Sequence, residues 1–186
     1  ILAEVEAEYG TVFAKTEVKL NGEKAPGNRT EETNLGDLIT DALVWKATQE
    51  GEAVDAAITN GGGIRATIEA GDITKKDINT VLPFGNTLSI IKITGAELLE
   101  VLEASTFCTP EAIGGFPQVS GIEFTLDTTK AYDQGDEYPG TTYFAPKTIN
   151  RVTITSVGGK DFDPAATYTI ATNDFHYLRR EDAPVQ

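Results

Sequence analysis

A short apolar run that ends at an asparagine and three glycines constrains this chain more than any other stretch. In Val54-Asp55-Ala56-Ala57-Ile58-Thr59-Asn60-Gly61-Gly62-Gly63-Ile64-Arg65, the first six residues have the length and character of a buried strand. Glycines carry no Cβ, so the chain after Asn60 can take unusual backbone angles and let a ligand approach closely. Arg65 is the first charge beyond them, and a guanidinium presents a fixed fork of donors suited to carboxylate or phosphate oxygens. Two readings follow: a cradle for an anion or nucleotide, or a Gly-rich turn with a solvated arginine. The spacing fits neither GxGxxG nor GxxxxGK(S/T), and the residues leave both open.

Composition narrows the partners. The 186 residues carry 29 acidic and 15 basic side chains, a net charge of −14, which argues against a nucleic-acid polymer or an anionic membrane surface. A small anion is still admissible, because a few local cations dominate at contact distance. Hydrophobic content of 40% and charged content of 24% are globular values, and the length suits one domain. No apolar run approaches the ~20 residues of a membrane-spanning helix. Cys108 is the only cysteine, which excludes an intrachain disulfide and reads as a buried small hydrophobe. His176 is the only histidine, so this segment offers no His-rich metal site and no Ser-His-Asp or Cys-His set with a second histidine. We therefore expect no catalytic residue and no metal ligand here.

Along the chain, Leu2, Val5 and Tyr9 with Glu4, Glu6 and Glu8 between them predict the end of an acidic amphipathic helix, stopped by Gly10. Thr11 to Leu20 alternates as a strand and Asn21-Gly22 reads as its turn. A helix is expected from Asn34, as its cap, to Gly51, with Trp45 packed at the edge of the apolar stripe. Thr74 with Asp77, and Thr94 with Glu97, predict capped helices over Lys75 to Asn79 and Ala96 to Ser105. Strands are expected over residues 88–93, 121–127, 151–155 and 167–171, and a loop over Thr106 to Ser120. Residues 133–146 form a long excursion whose aromatics need cover. Phe84, on the Pro83-Phe84-Gly85 turn, is either a plug for the core or a stacking face. The irregular order of strands and helices favours an α/β or α+β layout with mixed sheets.

Seven segments together resemble one family. ETNLGDLITDAL (32–43), NGGGIR (60–65), IEAGDIT (68–74), VLPFGNTL (81–88), TGAELLEVLE (94–103), FPQVSGIEF (116–124) and ATNDF (171–175) closely resemble the C-terminal domain of the 5′-nucleotidase family, in the family's order. The resemblance implies a layered α/β/β/α architecture with helices on the outer faces. It implies a boundary near residue 10, with 1–10 ending an interdomain helix and 11–186 forming a substrate-binding domain. An upstream metallophosphoesterase domain would carry two divalent metal ions and the catalytic groups, so this segment alone would hydrolyse nothing. Members act outside the cytoplasm, in the periplasm, at the wall or on the cell surface.

Carried over by position, Arg65 and Arg29 would hold phosphate or the ribose end of a nucleotide. Asn60 would anchor the nucleoside beside Gly63, Phe84 and Phe175 would sandwich the base, and Asn86 and Gly114 would line the same pocket. Two departures stand out. Family members follow the NDF segment with GGD and an aromatic residue, whereas Phe175 runs directly into His176-Tyr177-Leu178. Some members place a second arginine four residues before the Arg29 position, where this chain has Ala25, which implies a weaker phosphate grip. The alternative is therefore a binding or interaction module that has lost nucleotide recognition.

Overall fold

The computed structural model describes residues 9–174. Tyr9 and Gly10 lie at a helix end and the turn after it; residues 1–8, the remainder of the expected linker helix, lie outside the described residues, as do Phe175 and His176.

The centre is a four-stranded mixed sheet, built from β2 (Ala56–Asn60), β4 (Leu88–Thr94), β5 (Pro117–Ser120) and β11 (Thr167–Asn173) in the order β4-β11-β2-β5. β11 runs parallel to β2 and antiparallel to β4, while β5 is antiparallel to β2. Strand alternation divides the apolar residues between two faces. Ala57 and Ala171 turn to one side and meet Ala47 of helix α1 (Asn34–Gln49). Ala56, Ile58 and Ile170 turn to the other, where they pack with Leu98 and Leu102 of helix α3 (Gly95–Ser105). That core also takes Ile122 from β6 (Ile122–Leu126) and Val152, Ile154 and Val157 from β9 (Val152–Val157). β6 and β9 pair antiparallel in a second sheet with the short β10 (Lys160–Asp161). α1 thus covers one face of the central sheet, while α3 and the second sheet share the core on the other, a mixed α/β fold as expected.

A smaller unit sits at one end. β1 (Val12–Thr16) pairs with β3 (Gly71–Thr74), and helix α2 (Lys75–Val81) follows directly. Leu20, Leu35, Ile64, Ile68, Ile73 and Val81 form its core, tying it to the first turn of α1. Both short helices begin with the expected capping boxes, Thr74 with Asp77 and Thr94 with Glu97. The remaining pair, β7 (Gln134–Glu137) and β8 (Phe144–Pro146), is a hairpin within the 133–146 excursion. Its neighbourhood is covered as anticipated, with Phe107 5.8 Å from Tyr132 and 6.5 Å from Tyr143 between ring centroids.

Several expectations need correction. Thr33, not Asn34, caps α1, accepting from the Gly36 N–H; the Asn34 side chain instead binds the backbone at Lys19 and Asn21. Trp45 is 62% exposed and belongs to the solvent face. The segment 117–120 is a strand, not loop, and Asn21-Gly22 forms no turn: the chain stays extended there and turns at residues 23–28. Cys108 is only half-buried, and that burial raises its thiol pKa.

Glu103 is the polar pin of the larger core. Fully buried, its carboxylate accepts the Val152 N–H at 2.7 Å and the Arg151 N–H at 3.2 Å. The Arg151 guanidinium, 3% exposed, donates to the carbonyls of Thr106, Phe107 and Thr109. Glu103→Ala would leave buried N–H groups unpaired and should lower unfolding free energy by about 3 kcal/mol, read by urea denaturation. A second prediction concerns alkali. Burial, reinforced by the Glu103 and Glu100 carboxylates, pushes the Tyr132 phenol up to about 12. A folded-state pKa above the ordinary ~10 favours the neutral form, so this contribution is intact below pH ~10 and is lost as pH rises toward 12. Denaturation midpoints measured above pH 10 should fall more steeply in the native chain than in Tyr132→Phe.

Candidate functional site

The parallel pairing of β2 and β11 brings their C-terminal ends to one edge of the sheet, together with the starts of the antiparallel β4 and β5. Asn60 ends β2 and Asn173 ends β11. The Asn173 amide donates to Asn60 Oδ1 at 3.2 Å and to Thr59 Oγ1 at 3.0 Å, and Asn60 Nδ2 donates in turn to the Gly114 carbonyl at 3.4 Å. Asn60 is therefore braced on two sides with one oxygen lone pair and one N–H still to offer.

The glycines do what a close approach requires. A Cβ on Gly61 would lie 1.7 Å from the Asn28 carbonyl oxygen, and one on Gly62 would lie 2.8 Å from the Gly114 oxygen. The Gly61 and Gly62 N–H groups donate to Phe116 and Gly114 carbonyls, both at 2.8 Å. The triple glycine is thus pressed between the 21–33 segment and the 113–116 loop, and Ile113 N–H closes the ring on the Arg29 carbonyl at 3.1 Å. Gly63 is buried beneath the Asn60 amide, where a Cβ would come 3.4 Å from Oδ1.

Beyond the glycines, Ile64 plugs the smaller core while its neighbour Arg65 faces out. Arg65 is fixed by its N–H to the Val81 carbonyl at 2.9 Å and by Nη1 to the Gly62 carbonyl at 3.3 Å. Its guanidinium carbon lies 5.8 Å from the centroid of Phe84. Phe84 is 60% exposed, so the core-plug reading does not hold. The turn that carries it is set by Gly85 at φ +64, a left-handed conformation that suits glycine.

Arg29 and Arg65 line one groove of about 380 Å³, together with Lys24, Glu23, Thr67 and Gly22. Lys24 belongs to no motif, and only the fold reveals it as a neighbour of the two arginines. Asn86 is exposed just before Thr87, whose N–H and hydroxyl bind the Asp174 carboxylate at 3.1 and 3.0 Å. The structure therefore bonds Asn60 to Gly114, sets Arg65 beside Phe84 and in one groove with Arg29, places Gly63 next to the Asn60 amide, and puts Asn86 at the same sheet edge. Phe175 lies outside the described residues. Among the described residues, no group of three His, Cys, Asp or Glu side chains could hold a metal ion.

This arrangement can hold a planar ring against Phe84 and an anion against the arginines. Residues 12–183 match the family model described as 5′-nucleotidase, C-terminal domain. The chain is 39% identical over 165 residues to the trifunctional nucleotide phosphoesterase protein YfkN of Bacillus subtilis, covering 86% of this chain and 10% of that protein. It is 30% identical over 170 residues to protein UshA of Escherichia coli, covering 91% of this chain and 26% of UshA. Its fold superposes on a crystal structure of a 5′-nucleotidase precursor from Thermus thermophilus with a TM-score of 0.78 and 33% identity, over 97% of this chain and 34% of that one. The chain thus spans between a tenth and about a third of the length of these proteins.

Gly61→Ala must displace the Asn28 backbone and should lower unfolding free energy by about 1–3 kcal/mol, as overpacking does. At Gly114 a Cβ would meet only the Gly62 Cα, at 3.9 Å. Gly114→Ala should therefore change stability by no more than ~0.5 kcal/mol in the same denaturation experiment.

Proposed function

Because the chain belongs to the 5′-nucleotidase C-terminal domain family, we propose that it grips the nucleoside and phosphate of a nucleotide and presents the ester to an upstream metallophosphoesterase domain of the same polypeptide. In this reading residues 11–186 are the substrate-binding domain and 1–10 the end of the connecting helix. The family is metal-dependent, and its two divalent ions would reside in the upstream domain. This segment would contribute recognition and no bond cleavage, working outside the cytoplasm.

The observation that carries the proposal is the Arg65–Phe84 pair beside the groove that holds Arg29. An exposed ring with a cation at 5.8 Å matches a ligand that is aromatic at one end and anionic at the other. The base would stack on the free face of Phe84 and on Phe175, in a manner that tolerates any base. The arginines would take phosphate oxygens by charge-assisted bonds. Asn60 would use its remaining donor and acceptor on the nucleoside, over the space left by Gly63 and next to Gly114 and Asn86.

A second reading rests on the sequence after Phe175, which runs into His176-Tyr177-Leu178 with no GGD: a module without the family's ribose contact that serves interaction alone. Isothermal titration separates the two. The first reading expects heat for adenosine and AMP; the second expects none from a chain that melts cooperatively. Phe84→Ala should weaken adenosine binding by about 1–3 kcal/mol. Since Phe84 is 60% exposed, its melting temperature should stay close to that of the native chain. A large drop in melting temperature would remove the stacking interpretation.

A further inference from the structure

Lys24 has no role in the proposed contacts, yet it stands in the same groove as both arginines. We infer that Lys24 is a third anion-binding side chain, which sets how strongly this chain prefers phosphorylated nucleosides over bare ones. The inference rests on the nucleotide reading for its ligand, but on separate observations for the site.

The first observation is the rigidity of the groove. Lys24 and Arg29 stand at the two ends of a turn closed by Asn28 N–H to the Glu23 carbonyl at 2.9 Å and Arg29 N–H to the Lys24 carbonyl at 3.2 Å. Asn28, fully buried, anchors it. The opposite wall is pressed against the turn's base. Gly22 N–H binds Thr67 Oγ1 at 2.9 Å, and a Cβ on Gly22 would sit 1.9 Å from the Ala66 carbonyl oxygen. The spacing between Lys24 and Arg29 on one wall and Arg65 on the other is therefore set by backbone.

The second observation is charge. Lys24, Arg29 and Arg65 form no ion pair with a carboxylate of the described residues, and the three line one groove. The one acid lining the groove is Glu23, whose carboxylate accepts from the Thr67 hydroxyl at 3.4 Å and lies 3.8 Å from Lys19 Nζ, so the groove carries three cations against one carboxylate. This local excess of positive charge in a chain of net charge −14 is a reversal of the field that favours an anion of more than one charge. A phosphate monoester or a diphosphate fits that description; a nucleoside does not. The weaker grip implied by Ala25 is thereby offset one residue earlier.

The test compares the native chain with Lys24→Ala and Lys24→Arg, titrated with adenosine, AMP and ADP. Lys24 is exposed, so both variants should fold. Lys24→Ala should leave adenosine affinity within about twofold and weaken AMP about fivefold, a partly solvated charge contact being worth ~1 kcal/mol. ADP should lose at least as much, Lys24→Arg should restore binding, and salt at ~1 M should erase the difference. An unchanged AMP-to-adenosine ratio in folded Lys24→Ala would overturn the inference. Should adenosine fail to bind the native chain at all, the nucleoside reading falls separately, and inorganic tripolyphosphate becomes the probe. Weaker tripolyphosphate binding by Lys24→Ala would then sustain the third cation, and equal binding would refute it.

Discussion

The contact on which the rest depends is that of Gly61 against the Asn28 carbonyl, a place where a Cβ would fall 1.7 Å from oxygen. Three separate parts of the chain meet there: the turn carrying Lys24 and Arg29, the end of β2, and β5. Gln118 of β5, 1% exposed, completes the junction with its amide, donating to the Asn28 carbonyl at 3.2 Å and the Glu31 carbonyl at 2.7 Å while accepting the Thr33 N–H. Gly36 serves the same junction from α1, since a Cβ there would come 2.0 Å from Gln118 Oε1. Backbone groups of the turn and of the residues leading into α1 are thus satisfied by one buried side-chain amide in a space that leaves no room for a Cβ at Gly36 or Gly61, and such directional bonds fix their positions.

The candidate ligand-binding groups are mounted on that junction. Each of these candidates has a buried neighbour one or a few residues away: Arg65 follows Ile64, half-buried Arg29 follows Asn28, and Phe84 stands three residues past Val81. The same alternation that builds the core therefore aims the ligand-facing side chains outward. The opposite end of the molecule is held by different means, through the Glu103 and Arg151 side chains and the aromatic cluster around Tyr132. The two ends meet at the 113–116 loop, where a Cβ on Gly115 would press the Tyr143 hydroxyl at 2.7 Å while Gly114 receives the Gly62 N–H.

What the sequence made legible was local. Capping boxes at Thr74 and Thr94 involve residues three apart, so spacing alone identifies them. The cap of α1 was harder, because Thr33 and Asn34 are both good caps; only the contacts of Asn34 with Lys19 and Asn21 decide between them. Trp45 was misplaced because helical periodicity gives the direction of an apolar stripe and not its width. β5 was hidden by Gly114-Gly115-Phe116-Pro117, which reads as loop; its proline is tolerated because β5 is an edge strand paired with β2 alone. Lys24 could not be found from sequence, since its importance lies in a wall contributed by Ala66 and Thr67, more than 40 residues away.

The openness of the site bears on how it would work. Phe84 at 60% exposure and cations facing solvent lie in a high-dielectric setting, where each contact is worth a fraction of its value when water is excluded. Recognition by this chain alone is thus built from weak terms acting together: one stacking face, two or three charges and one amide. In the proposed arrangement an upstream domain closing over the groove would strip water from all of them at once, strengthening each without any change in its geometry. The preformed junction around Gly61 matters for that reason. Groups already fixed by backbone lose little freedom on closure, so the gain from desolvation is not spent on ordering the site.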